Sequence, residues 1–120
     1  MDNADLGAAA EDLACERLRR LGYLIVARNW RTRMGEIDVV ARDGDVLAFV
    51  EVKSRSTSGF GGPEAAVGRA KRRRLIAAAQ AFLASTGCDL ASRFDVVAIE
   101  GEDVRIVRDA FGADDVWPAS

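Results

Sequence analysis

The chain has 120 residues, 49% apolar and 30% charged, with a net charge of -2, two distant cysteines (Cys15 and Cys88) and no histidine. Its length suits one core, so a single domain over residues 1–110 with a tail over 111–120 is expected. Without histidine there is no Ser-His or Cys-His arrangement and no Cys/His zinc site, so acid–base or metal chemistry must rest on carboxylates and lysines.

No apolar run is long enough to span a bilayer, and the acidic start is unlike a secretory signal, so a cytoplasmic protein without a membrane partner is expected. Charge is unevenly spread. Residues 1–16 hold five acids and no base, residues 17–74 hold 14 bases against 6 acids, and residues 75–120 hold 3 bases against 8 acids. A basic middle fits either a positive surface around one site or ordinary solvated helix faces.

In chain order, apolar residues at Leu6, Ala10, Leu13, Ala14, Leu18 and Leu21 predict a helix, with Asp2 or Asn3 as N-cap and Gly22 past its end. Tyr23 to Arg28 reads as a short strand, followed by a polar connection from Asn29 to Met34. Glu36 to Arg42 and Val46 to Ser54 form a hairpin through Asp43-Gly44, a dipeptide suited to the positive φ angles of a tight turn. After a Ser/Gly loop, Pro63 opens a second helix, with Glu64 in its first turn and Gly68 as a candidate interruption of its start, running to about Ser85. Ser92 to Glu100 and Val104 to Arg108 are two final strands around Gly101-Glu102-Asp103. The order helix, three strands, helix, two strands implies an α/β fold, a mixed sheet with helices on both faces.

Side chains alternate along a strand, so Glu51 and Lys53 share one face while Val50 and Val52 point to the other. A two-residue Asp43-Gly44 turn sets Asp38 opposite Phe49 and diagonal to Glu51; a loop longer by two residues sets it opposite Glu51. Either register gathers Glu36, Asp38, Glu51 and Lys53 beside Val40, Leu47 and Phe49. Helical spacing turns Glu11 inward with Gly7, Ala14 and Leu18, and Lys71 inward between Val67 and Leu75, while Arg69, Arg72 and Arg73 spread outward. A lone Glu-x-Lys is ordinary on a solvated strand face. Carboxylates crowded into a half-buried site repel unless they share a proton or bind a cation, and oxygen ligands favour Mg²⁺ or Mn²⁺. Glu36 reads equally as a site residue or a structural hydrogen-bonder. Lys71-Arg72-Arg73-Arg74 suits a solvated helix face, and Trp30 and Phe60 suit packing. Arg31, Arg33 and Arg55 flank the carboxylates on loops and supply positive charge for phosphate, as Lys71 and Arg72 would from the helix.

The string Gly7-x-x-x-Glu11, Gly22-Tyr23, Arg28-Asn29-Trp30-Arg31, Gly35-Glu36-Ile37-Asp38, Phe49-Val50-Glu51-Val52-Lys53-x-Arg55, Phe60-Gly61 and Arg93-Phe94-Asp95-Val96-Val97 resembles the YraN family. These small bacterial proteins are predicted to be endonuclease-like and similar to archaeal Holliday junction resolvases. The resemblance implies a restriction-endonuclease-like, three-layer fold and a PD-(D/E)xK site. By position, Asp38 and Glu51 match the acidic metal ligands, Lys53 the lysine of the ExK motif, and Glu11 the first-helix glutamate. Lys71 matches a helical position where related nucleases often carry glutamine or lysine.

The expected function is thus a divalent-metal-dependent endonuclease acting on DNA, branched DNA included. Asp38, Glu51 and the Val52 carbonyl would hold Mg²⁺ or Mn²⁺, Glu11 would bind directly or through water, and Lys53 would position the attacking water. The alternative is a non-catalytic nucleic-acid-binding module on a nuclease fold, and a third reading is a protein-interaction module. Resolvases cut two strands as dimers, so the resemblance allows a homodimer.

Overall fold

A computed structural model describes residues 3–55 and 68–112, with the side chains of residues 3–6 and 55 excepted. The elements run α1 (Asn3–Arg20), β1 (Leu24–Arg31), β2 (Glu36–Asp43), β3 (Val46–Arg55), α2 (Arg69–Thr86), β4 (Ala91–Glu100) and β5 (Asp103–Phe111). The strands form one five-stranded sheet in sequence order. Neighbouring strands pair antiparallel, except that β3 and β4 are parallel, which requires the crossover through α2.

Strand alternation gives the sheet two apolar faces, each covered by one helix. Ala14, Cys15 and Leu18 of α1 pack with Val39, Ala41, Ala48, Val50 and Val97. Ala78, Ala79 and Phe82 of α2 pack on Ile37, Val40, Leu47 and Phe49. Leu75 and Ile76 of α2 cover Val96 and Phe111. The result is the expected α/β fold, a mixed sheet between two helices, consistent with a restriction-endonuclease-like core.

Two local readings need correction. Helix α1 stops at Arg20, because Gly22 adopts φ 95° and lets Tyr23 N–H donate to Leu18 O at 3.0 Å and Gly22 N–H to Arg19 O at 3.0 Å. This double closure is a Schellman motif, with Tyr23 packed in the same cluster as Leu18. Leu21 is left 50% exposed rather than on the apolar stripe. Strand β1 continues through Asn29 to Arg31, where only a connection was expected. Asn29 adopts φ 53°, and Trp30 then meets Phe82 edge-on, with ring centroids 5.1 Å apart. Helix α2 is described from Arg69, after Gly68, which is extended at φ -73° and interrupts the expected helix there. Pro63, Glu64 and Val67 lie outside the described residues, as do Phe60 and Gly61.

The β2–β3 turn is also displaced by one residue. Asp43 pairs with Val46, so the turn is Gly44-Asp45, with Gly44 at φ 60°. Asp43 stays in the strand and accepts a hydrogen bond from Arg93 at 2.9 Å, while Arg42 Nε caps the Gly44 carbonyl at 2.8 Å. The turn is still two residues long, but shifting it gives the register expected of the longer loop, Asp43↔Val46 to Val39↔Val50, and carries Asp38 towards Glu51.

Candidate active site

Beyond Val39↔Val50 the ladder gives way to a side-chain contact: Val52 N–H donates to Asp38 Oδ2 at 2.9 Å. Ile37 and Val39 belong to different core clusters, so alternation breaks between them. Asp38 keeps the parity of Val40 and so lies on the α2 face with Glu51, and Ile37 is the residue that departs from alternation. Glu51 is 3% exposed and lies on the α2 face, where Lys71 pairs with it and Lys53 Nζ stands 3.6 Å from the same oxygen, Oε1. Asp38, Glu51, Lys53 and Lys71 thus come together from β2, β3 and α2.

Electrostatics mark this cluster. Burial, and then the charge of Glu51, pushes the Asp38 carboxyl up to about 7, against the Val52 hydrogen bond that favours its charged form. Near neutrality Asp38 is therefore part-protonated, and its titration is tied to that of its neighbours. Burial and the nearby Lys71 lower the Lys53 ammonium. Burial opposes charge on Lys71 too, but Glu51 outweighs it and raises the pKa. The two lysines share one carboxylate unequally.

A cavity of about 120 Å³ opens over these groups, lined by Gly35, Glu36, Asp38, Glu51, Lys71, Arg74 and Leu75. A larger cavity of about 490 Å³ lies by Arg17, Glu100, Glu102 and Arg105. Chemistry is better sought in the smaller one, because it holds the perturbed acid and its lysine partner.

Glu11 stands apart. It faces Arg28 at 3.7 Å and lines a separate groove of about 410 Å³ with Gly7, Ala8, Asn29, Arg31 and Glu36. Its charge still raises the Asp38 pKa, and Glu36 borders both cavities. Among the described residues, no three His, Cys, Asp or Glu side chains form a ready metal cage. What the cluster does offer is a close carboxylate pair made unfavourable by burial, the donor chemistry that suits a hard divalent cation.

The basic residues divide by location. Arg31 is exposed and pairs with Glu36 at 3.6 Å, and Arg33 is exposed in the connection that follows. Arg72 lies over the Phe111 ring at 5.1 Å, a packing role. The Arg55 side chain lies outside the described residues. Helix α2 carries Arg69 and Lys71 to Arg74 near its N-terminus, with no acid in its first turn and no side-chain cap on its N-terminal amides. Cations at the positive end of a helix oppose its dipole, so this arrangement fits an anion better than it fits helix stability.

Sequence reasoning missed a second polar cluster on the opposite, α1 face. Asp95 is fully buried and accepts from Arg93 at 2.8 and 2.9 Å, from Tyr23 Oη at 3.1 Å, and from Asp109 N–H at 2.9 Å. Arg93 also reaches Asp43, and Arg108 Nε donates to Tyr23 Oη at 2.9 Å. Every partner in this group is satisfied, so it reads as a structural clamp joining β4, β5, the β2–β3 hairpin and the end of α1. An Arg-x-Asp pair inside the apolar run of β4 was the available signal.

Fold and cluster together define a small α/β protein with a lysine-bridged carboxylate site at the crossover side of its sheet. The chain matches the family described as "Uncharacterised protein family UPF0102" over residues 10–99, and it belongs to that family. It is 49% identical over 110 residues to a UPF0102 protein of Dechloromonas aromatica, covering 91% of this chain and 90% of that one. It is 52% identical over 111 residues to UPF0102 proteins of Burkholderia pseudomallei and Burkholderia mallei, covering 92% of this chain and 77% of each relative. Among the described residues no helix is long and apolar enough to cross a membrane.

Proposed function

We propose that this chain is a divalent-metal-dependent endonuclease that hydrolyses phosphodiester bonds in DNA, working in the cytoplasm. The observation that carries the reading is the Asp38–Glu51 pair, with Asp38 raised to about 7 beside a buried carboxylate that two lysines already contact. Asp38, Glu51 and the Val52 carbonyl would hold Mg²⁺ or Mn²⁺, with Glu11 reaching it through water from the neighbouring groove. When bound, such a cation supplies Lewis-acid stabilisation of charge gathering on phosphorus and lowers the pKa of a bound water.

The chain's own groups account for the remaining demands. Asp38 is oriented by the Val52 N–H, and a cation held between it and Glu51 would favour its charged form, relieving the repulsion that raises its pKa. Lys53, lowered by burial and by its neighbour Lys71, would hold a water or a phosphate oxygen by hydrogen bonding. Lys71 fixes Glu51 from α2, and Arg31, Arg33 and Arg74 offer phosphate contacts at the rim.

The test is cleavage of plasmid and branched DNA with and without Mg²⁺ or Mn²⁺. Asp38→Asn and Lys53→Ala should each lower the rate by at least about a hundredfold, the loss typical of removing a group that stabilises charge in the transition state. Cleavage that survives both changes, or that ignores chelator, would sink the assignment.

One observation favours a second reading. Glu51 is already neutralised by Lys71, and such a pair suits a non-catalytic nucleic-acid-binding module built on a nuclease fold. That module would bind DNA equally well with and without chelator and would cut nothing.

A further inference from the structure

The turn between β1 and β2 is more tightly built than a connecting loop needs. Thr32 N–H and Thr32 Oγ1 both donate to the Gly35 carbonyl, at 2.8 and 3.0 Å. The same Oγ1 accepts from Met34 N–H at 3.0 Å and from Gly35 N–H at 3.1 Å. Gly35 then seats this turn directly on α2: a Cβ there would come within 3.2 Å of Arg74 Cβ and 3.3 Å of the Arg74 carbonyl oxygen. The turn is thus pinned at its base and against the helix, at the rim of the cavity that holds Asp38 and Glu51.

At its tip the turn presents Met34, 58% exposed, next to exposed Arg33. Arg31, with 79% of its side chain exposed, stands at one base of the turn, and exposed Arg74 lies beneath it. Among the described residues, the other exposed large apolar side chains, Leu21, Leu24 and Val26, lie at the opposite end of the β1–β2 ladder, away from the cavity. An unbranched apolar side chain carried on a braced turn and flanked by arginines matches one ligand chemistry well: a polyanion whose charged backbone flanks apolar, stackable faces.

We propose that the Thr32–Gly35 turn is a wedge that inserts Met34 into the base stack of the DNA while Arg31, Arg33 and Arg74 hold the flanking phosphates. This rests on the nucleic-acid reading above and names its substrate class. Opening a base step is costly in continuous duplex and cheap where stacking is already interrupted. The wedge therefore selects bulged, nicked or branched DNA over continuous duplex, and it places the interrupted step beside the carboxylate site.

The experiment measures binding of the full chain to a continuous duplex and to the same duplex carrying a two-nucleotide bulge. Both are labelled for anisotropy and carry 2-aminopurine at the bulge-flanking step. Measurements are made with chelator and, separately, with Ca²⁺ in place of Mg²⁺. The wild-type chain should prefer the bulged duplex and brighten its 2-aminopurine. Met34→Ala should lose about tenfold in affinity for the bulged duplex together with the fluorescence change, the effect of withdrawing one large apolar side chain, and should bind continuous duplex unchanged. Met34→Leu should restore both, and Arg33→Ala should weaken both duplexes alike.

An unchanged preference and 2-aminopurine signal in Met34→Ala would overturn the wedge while leaving the nuclease reading intact, as would a wild-type chain that binds both duplexes equally. Failure of the wild-type chain to bind either duplex at low salt, under both ionic conditions, would overturn the nucleic-acid reading and the wedge with it.

Discussion

At the scale of single residues, the Asp38 carboxyl makes a prediction that does not depend on knowing a substrate. Its folded pKa of about 7 lies above the ordinary 3.8, so between those values the native chain holds a proton that the unfolded chain has released. Stability therefore falls as pH rises through that window. Asp38→Asn, which keeps the shape and removes the charge, should raise stability at pH 8 by about 1–2 kcal/mol, a figure discounted because the residue is half-buried and partly screened. It should leave stability at pH 4 nearly unchanged. If the pair is a cation site, Mn²⁺ should raise the wild-type melting temperature by several degrees at pH 8, little at pH 5, and not at all in the variant. Thermal melts across this pH range check all three. A pH-independent difference between wild type and variant would mean that Asp38 is an ordinary surface carboxylate. A substitution that disables the site yet stabilises the fold is what a functional charge held against its solvation preference should give.

Elements show where sequence reasoning reached and where it stopped. Periodicity found both helices and all five strands, because amphipathic alternation and the 3.6-residue stripe follow directly from which faces are buried. It placed Glu51 and Lys53 on one face and Lys71 above them, since parity and helical spacing are local properties. It misplaced the hairpin turn by one residue, because Asp43 is claimed by Arg93, fifty positions away, and no local signal carries that demand. It ended β1 early at Asn29, where a left-handed residue lets the strand continue with its faces exchanged. It expected helices on both faces of the sheet yet counted Glu11 with Asp38 and Glu51; α1 covers the face opposite α2, so Glu11 lines a neighbouring groove instead. Of the Asp95 clamp the sequence carries only the Arg93-x-Asp95 pair inside an apolar strand, because Tyr23, Asp43 and Arg108 join it only once the sheet is assembled.

The seat of the β1–β2 turn on α2 can be tested at this scale too. A side chain at Gly35 must push Arg74 or lift the turn, since the nearest contacts include backbone at 3.3 Å. Gly35→Val should cost about 1–3 kcal/mol as an overpacked contact and should displace the part of α2 that carries Lys71. Under the proposed nuclease reading, cleavage should then fall by about tenfold or more, because small displacements of positioned groups are expensive in rate. Gly35→Ala should show the same pattern, weaker. Wild-type melting and wild-type cleavage in Gly35→Val would mean that the turn is free of the helix.

On the scale of the whole molecule, the distribution of charge decides more than its total. A net charge of -2 gives no general attraction to a polyanion, yet helix α2 contains no acid at all and carries Arg69 and Lys71 to Arg74 near its start. The acids are concentrated in the first 16 and the last 46 residues, so the field of the molecule is directional. Binding through the α2 side should therefore depend steeply on salt despite the negative net charge. If Arg31, Arg33, Arg73 and Arg74 meet phosphates, the logarithm of the binding constant for duplex DNA should fall with the logarithm of salt with a slope of about -4, from roughly 0.9 counterion per phosphate contact. Arg33→Ala should reduce that slope by about one unit, whereas replacing Arg19 or Arg20, which lie on the exposed side of α1, should leave it alone. A titration of affinity against salt for these three chains distinguishes a directed basic face from diffuse attraction. A slope near zero would show that the cations of α2 serve the fold, or a partner other than nucleic acid.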